Sequence, residues 1–429
     1  MSRRPSCSRR AFLRVAAGAS AFPAIIPSSA WGAGGQAAPS NRIAVGCIGV
    51  GPQGNGVMGG FLRHEEARVV AVCDVQTPRR EEAKKRVDGH YGNSDCALYH
   101  DFREIVARED IDAFLIASPD HWHVLHALAA VRHGKDVYLE KPMGLSLAED
   151  LALRDAVHTH GRVFQFGTQQ RSSREFRLAC ELVRNGRIGE LQSIRVGAPA
   201  SIARDLRPEA PVPDWLDYDL WLGPAPWSPY FEGRVQNEYW WHHSDCALGF
   251  VAGWGIHHVD IAQWGNNTDD TGPVTIEGGG VFAEDGFGDC AIGWDLTCCY
   301  ANGVTMSYTD NTKNPQGVTF EGTEGRVYVR RGHIESEPEA LLGRVIQPEE
   351  EHVYESNDHV GNFLDGVRTR AQAICDIDVA VRSDTICHIS DIAMRLGRGV
   401  EWDPVAERFK NDAEANRMLT RAMREPWHL

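Results

Sequence analysis

The chain lacks the marks of several large protein classes. It has no C-x-x-C pair and no H-E-x-x-H, so neither common zinc signature is present and no metal site is expected. It is short of positive charge. Lys and Arg number 44 against 59 Asp and Glu, a formal net charge of −15. An acidic surface of that kind argues against nucleic acid or an anionic membrane as partner. No internal repeat is visible, and no low-complexity segment beyond one short tether. The apolar stretch Val15 to Ile26 is too short and too rich in alanine and glycine to span a bilayer. The eleven cysteines are scattered and read mostly as buried thiols, with a disulfide left open. Cys298 and Cys299 are adjacent, so on a strand they point to opposite faces and do not pair with each other.

The N-terminus reads as a targeting segment. Ser8-Arg9-Arg10-Ala11-Phe12-Leu13-Arg14 precedes the apolar stretch, and small residues follow at Ser28-Ser29-Ala30. This is the pattern of a twin-arginine export signal over residues 1–30. A Gly/Ala/Pro/Ser-rich tether follows over 31–40. The expected partner is the twin-arginine export machinery and the expected location is the periplasm. That route carries folded proteins, so a cofactor would be loaded before export and held tightly.

From residue 41 short apolar runs alternate with helical patterns. Ile43–Ile48, Val69–Asp74, Ala113–Ala117, Asp136–Leu139 and Val163–Gln165 read as strands. The alternation predicts a doubly wound parallel sheet over 41–165. The texture then changes. Residues 198–265 are rich in Pro, Trp, Gly and His, and strands with period-two alternation follow between Thr275 and Arg330. The remainder, 166–429, is expected to be an α+β domain with a mostly antiparallel sheet and a helical tail over Asp358–Leu396.

Gly49-x-Gly51-x-x-Gly54 follows the first strand and opens a helix, the arrangement that seats a pyrophosphate on a helix N-terminus. Asp74 ends the second strand about twenty residues on, where a carboxylate binds an adenosine ribose. That favours NAD over NADP, with Arg79 and Arg80 keeping NADP as the alternative. Ser118-Pro119-Asp120-His121-Trp122-His123 follows a third strand at the same rim. The two histidines there either meet the nicotinamide end or pack at the start of the next helix. Glu140-Lys141-Pro142 ends a further strand and puts a lysine on that rim. The expected dinucleotide contacts are Gly49, Gly51, Gln53, Gly54, Asp74, Ser118, Pro119, His121, Glu140 and Lys141.

Through these motifs the chain resembles the glucose–fructose oxidoreductase/inositol dehydrogenase/rhizopine-catabolism family (Gfo/Idh/MocA), over essentially all of residues 41–400. The resemblance implies that Lys141 is catalytic and that Glu140 helps hold it. It also implies a D-x-G-x-H-x-x-D signature on a helix over the nicotinamide. Here the segment reads Gly253-Trp254-Gly255-Ile256-His257-His258-Val259-Asp260. His257 falls on the base position and Asp260 on the final aspartate, while Gly253 stands where the first aspartate belongs. Asp245, His242, His243 and His258 are candidates to orient His257 in its place.

Seven tryptophans fall between Trp215 and Trp264, and aromatic faces suit sugar rings. The expected substrate contacts are Trp240 and Trp241, joined by Glu140, His123, His243 and Asp260. The residues and the resemblance together predict an NAD-dependent oxidoreductase acting on a secondary hydroxyl carbon of a sugar or glycoside, assembled as a homo-oligomer. One alternative is a glycosidase that oxidises its substrate transiently. Another is a sugar-binding protein that keeps a dinucleotide without turnover.

Overall fold

Short runs of branched and aromatic residues build the first sheet of the computed structural model, which describes residues 42–429. The expected export signal and tether lie outside the described residues. The strands are β1 (Ile43–Ile48), β2 (Ala67–Cys73), β3 (Ala97–Tyr99), β4 (Ala113–Ile116), β5 (Asp136–Leu139) and β6 (Phe164–Phe166). They lie in the order β3-β2-β1-β4-β5-β6, and every pairing is parallel. β4 and β5 are buried at all positions. Strands covered on both faces read as unbroken apolar runs, which is why they were legible. Helices Pro52–Leu62, Thr77–Tyr91, Asp120–Arg132 and Leu147–His160 alternate with them. The strand order reverses between β1 and β4, the switch point where such sheets bind ligands.

The second sheet holds β7 (Leu191–Ala198), β8 (Pro273–Val281), β9 (Gly293–Tyr300), β10 (Thr305–Asp310), β11 (Gly317–Gly322), β12 (Arg326–Arg330), β13 (His333–Glu337), β14 (Val400–Asp403) and β15 (Arg408–Phe409). Its order is β13-β12-β11-β7-β10-β9-β8-β14-β15. All neighbours are antiparallel except β7 and β10. β7 gave no local signal. Its partners β10 and β11 lie far along the chain, so no hairpin turn announces it. The α+β class expected for this region is what the structure holds.

The tail helix packs on β8 of the second sheet and also reaches the first domain. Helix Ile377–Leu396 packs against helix Leu147–His160 of the first layer. There His388 Nε2 meets Asp150 at 3.0 Å and Asp384 at 3.6 Å. Burial opposes charge on this histidine, but the two carboxylates outweigh it and raise its pKa to about 10. Arg154 and Glu407 add a second link at 2.6 Å. One hydrophobic core runs from β1 and β4 through to β7, β11 and the tail helix.

No helix among the described residues is long and apolar enough to cross a membrane. The ten cysteines among them are free thiols, and nine are buried.

Asp260 corrects an expectation. Expected as a substrate contact, it is instead fully buried in an ionic cluster. Arg171 grips it with Nε at 2.8 Å from Oδ2 and Nη2 at 2.8 Å from Oδ1. Ser383 donates to the same Oδ1 at 2.8 Å, and Asp269 binds the guanidinium from its other side at 2.7 Å. A carboxylate so occupied clamps helix Gly255–Gly265 to the loop after β6 and to the tail helix. Removing one member of a buried pair leaves the other charge uncompensated. Asp260→Ala is therefore expected to lower unfolding free energy by about 3–5 kcal/mol, measured by denaturant titration. A variant of unchanged stability but raised sugar KM would return Asp260 to the substrate.

Candidate active site

The rim of the first sheet opens on a cavity of about 410 Å³. Gly49, Gly51 and Gln53 line one side of it and Asp74 lies at the end of β2. Gly49 has φ +78°, and a Cβ there would stand 2.3 Å from the Ser118 amide nitrogen. A Cβ on Gly54 would stand 2.0 Å from the Gly49 carbonyl oxygen. Gly54 thus does not line the cavity; it lets the helix start close behind the turn. Asp74 accepts from the Val50 amide at 3.0 Å and the Gln76 amide at 2.9 Å, so its carboxylate is fixed across the turn. A turn that only glycine fits, a helix N-terminus behind it and a placed carboxylate suit a dinucleotide. Gly49, Gly51 and Gln53 would hold its pyrophosphate and Asp74 its adenosine ribose.

Ser118, Pro119, Asp120 and His123 line the cavity after β4, and Glu140, Lys141 and Pro142 after β5. Lys141 Nζ donates to the Gly253 carbonyl at 2.8 Å. Gly253 ends the short helix Phe250–Gly253, and the chain restarts as helix Gly255–Gly265. That break leaves the Gly253 carbonyl without an intrahelical partner, so it is free to take the ammonium. Glu140 is buried, and burial raises its pKa against the pull of Lys141 and a hydrogen bond from Gln53. His123 Nδ1 lies 2.6 Å from the Pro142 carbonyl, which can only accept, so that nitrogen carries the proton. Burial pushes the His123 pKa down to about 4, which keeps the ring neutral.

The far wall comes from the second domain. Trp240, Trp241, Phe250 and Trp254 face the cavity. His257 does not; the wall there is Gly253 and Trp254. The His257 ring is buried against Trp254, and its Nδ1 has no partner. Burial, then the charges of Lys141 and Arg331, hold its pKa well below the usual histidine range. It is a neutral imidazole within electrostatic reach of the lysine.

Two further expectations move. His121 turns from the cavity, with Nε2 bonded to the Trp221 carbonyl at 2.9 Å, and so takes the packing role left open for it. His243 pairs with Asp245 at 3.6 Å and rests on Phe287, away from the dinucleotide rim. His258 donates to or accepts from nothing in the cavity; its Nδ1 meets the Gly197 carbonyl at 2.8 Å.

Comparison with known proteins agrees with this geometry. Residues 43–168 match an oxidoreductase family's NAD-binding Rossmann fold, and residues 202–429 match the C-terminal alpha/beta domain of the same Gfo/Idh/MocA group. The chain belongs to the Gfo/Idh/MocA oxidoreductase family. It is similar to a "Glycosyl hydrolase family 109 protein 2" of Shewanella sp. (strain ANA-3), 32% identical over 155 residues, 35% of this chain and 34% of that one. It is similar to an inositol 2-dehydrogenase of Burkholderia multivorans, 30% identical over 149 residues, 34% of this chain and 43% of that one. The match thus spans only about a third of the first of these relatives. A crystal structure of an NAD-binding protein from Listeria innocua shares the fold, with TM-score 0.61, 18% identity, and coverage of 84% of this chain and 97% of that one.

Within this Gfo/Idh/MocA chain, sequence reasoning overlooked Asp120. It opens helix Asp120–Arg132, lines the cavity and is 5% exposed. Burial, only partly offset by Lys141, raises its pKa to about 8. The signal lay in the quoted Ser118–His123 segment, where the histidines drew attention from the carboxyl between them. Also unforeseen was the strap Pro213–Leu222, which bonds back to the first domain. Thr77 donates to the Trp215 carbonyl at 2.9 Å, and His100 meets Asp217 at 2.8 Å.

Gly54→Ala is expected to force the glycine turn apart and weaken dinucleotide binding by roughly tenfold or more, the cost of overpacking by one methyl. Gly56→Ala on the same helix meets nothing within 4 Å and serves as control. Calorimetric titration with NAD reads both.

Proposed function

We propose that this protein moves a hydride between a secondary hydroxyl carbon of a sugar or glycoside and NAD. The observation that carries the reading is the Lys141 ammonium, held at 2.8 Å by the Gly253 carbonyl in the same cavity as the glycine turn. One of its three N–H groups is used there, so two remain for a substrate oxygen. When bound, nicotinamide supplies or receives the hydride. Lys141 binds the carbinol oxygen and stabilises negative charge as its proton leaves. Neutral His257, behind Trp254, is the base in this reading. Trp240 and Trp241 offer flat apolar faces for a pyranose or cyclitol ring. The Asp74 carboxylate supports NAD over NADP, because it would repel a ribose phosphate. The inositol dehydrogenase likeness supports a polyol substrate.

The glycosyl hydrolase likeness supports a second reading, in which oxidation is transient. Oxidation acidifies the neighbouring C–H, elimination expels the aglycone, and water addition with return of the hydride restores the sugar. The Ser8–Arg14 segment supports export in folded form, which suits a cofactor that is recycled in place.

Lys141→Ala is expected to cut turnover by about 10²–10⁴-fold, the usual weight of a positioned proton-handling group. A glycoside panel assayed for ketosugar, NADH and released aglycone separates the readings. Ketosugar with stoichiometric NADH marks a dehydrogenase; aglycone release without net NADH marks the glycosidase. Turnover unaffected by the substitution would refute both. Separately, Arg9→Lys with Arg10→Lys is expected to leave the protein in the cytoplasm, read by cell fractionation; unchanged export would refute the twin-arginine assignment.

A further inference from the structure

Three carboxyls line the cavity: Asp74, Asp120 and Glu140. Asp74 is held by two backbone amides, while Glu140, beside Gln53 and Lys141, keeps its Oε2 buried without a hydrogen-bond partner. The Asp120 side chain makes no hydrogen bond with another described residue, although it is 95% buried by its 5% exposure. A buried carboxyl is ordinarily satisfied. One that opens only on a cavity is completed by what enters the cavity.

Its position is also fixed. His123, one helical turn on, is bonded to the carbonyl of Pro142, the residue after Lys141. This ties the start of helix Asp120–Arg132 to the end of β5, so Asp120 and Lys141 face one space from neighbouring strand ends. Across from them Gly253 offers no carboxyl. A Cβ there would meet nothing within 4 Å, so the wall is open at that point. Asp384, whose charge also acts on Asp120, is engaged elsewhere, accepting from the Met143 amide at 3.0 Å.

Building on the sugar reading above, we propose that Asp120 is the substrate-recognising carboxyl of this site: it binds the hydroxyl adjacent to the reacting carbinol, and the substrate is therefore a vicinal diol. Lys141 presents donors only, and suits the reacting oxygen. Asp120 pairs with the neighbouring hydroxyl as acceptor when ionised and as donor too when protonated. Burial raises its pKa to about 8, which makes both forms accessible near neutral pH. A lone carbinol would leave this carboxyl unpaired in a closed site.

The test uses the full protein loaded with reduced dinucleotide, which cannot oxidise a sugar. Methyl glucoside, methyl galactoside, methyl mannoside and myo-inositol are titrated by calorimetry, and the tightest binder is repeated as its set of monodeoxy analogues. Asp120→Ala should weaken the parent sugar by about 10–100-fold, the value of a hydrogen bond to a charged group. One deoxy analogue, lacking the hydroxyl that Asp120 holds, should bind the variant and the unmutated protein alike. Asp120→Asn keeps an acceptor and should recover part of the loss. Dinucleotide affinity should be unchanged in both variants. Equal weakening of the parent and every deoxy analogue, or no weakening of any, would overturn the assignment of Asp120 and leave the sugar reading standing. If the unmutated protein binds no polyol, the sugar reading falls and this assignment falls with it.

Discussion

The hydrogen bond from Lys141 to the Gly253 carbonyl joins the two halves of the site. It runs from the end of a parallel strand to the break between two helices of the second domain. Because the acceptor is backbone, it sits at a helix end whose carbonyl would otherwise be unsatisfied. The lysine is thus aimed by main-chain geometry, and a side-chain carboxylate at position 253 is not needed to hold it. The cavity, the dinucleotide turn and the tryptophan wall are arranged around that link.

Charge is buried on both sides of it, and in each place it is paired. Arg171 with Asp260 and Asp269 secures the helix that carries His257. His388 with Asp150 and Asp384 secures the tail helix to the first layer. Such clusters add less to stability than their number suggests, because desolvation offsets attraction. What they supply is register: each misplacement leaves a charge unpaired. Asp120 departs from this pattern. Its side chain makes no hydrogen bond with another described residue, and it lines the cavity together with the lysine.

Much of the fold could be read in advance. β4 and β5 are continuous apolar runs, and the glycine turn follows β1 directly. Local pattern carries such elements. β7 and the three-residue β3 were silent, because edge brevity or a distant partner leaves no local trace. Among site residues, Gly49, Gly51, Gln53, Asp74, Glu140 and Lys141 follow from strand-end position, and the structure brings them to one rim. Asp260, His121 and His243 were named for their chemistry and their neighbours in sequence. Chemistry near a site does not say which way a side chain turns. Asp260 turns to Arg171 because a buried guanidinium outcompetes a cavity for a carboxylate.

Composition, strand–helix alternation and three motifs determined the class, the dinucleotide turn and the lysine at the rim, since each rests on residues close together in the chain. Tertiary structure alone decided that Gly253 offers a carbonyl, that Asp260 is structural and that Asp120 faces the cavity. Those outcomes depend on long-range partners, Lys141, Arg171 and Pro142, which only the folded chain places in contact.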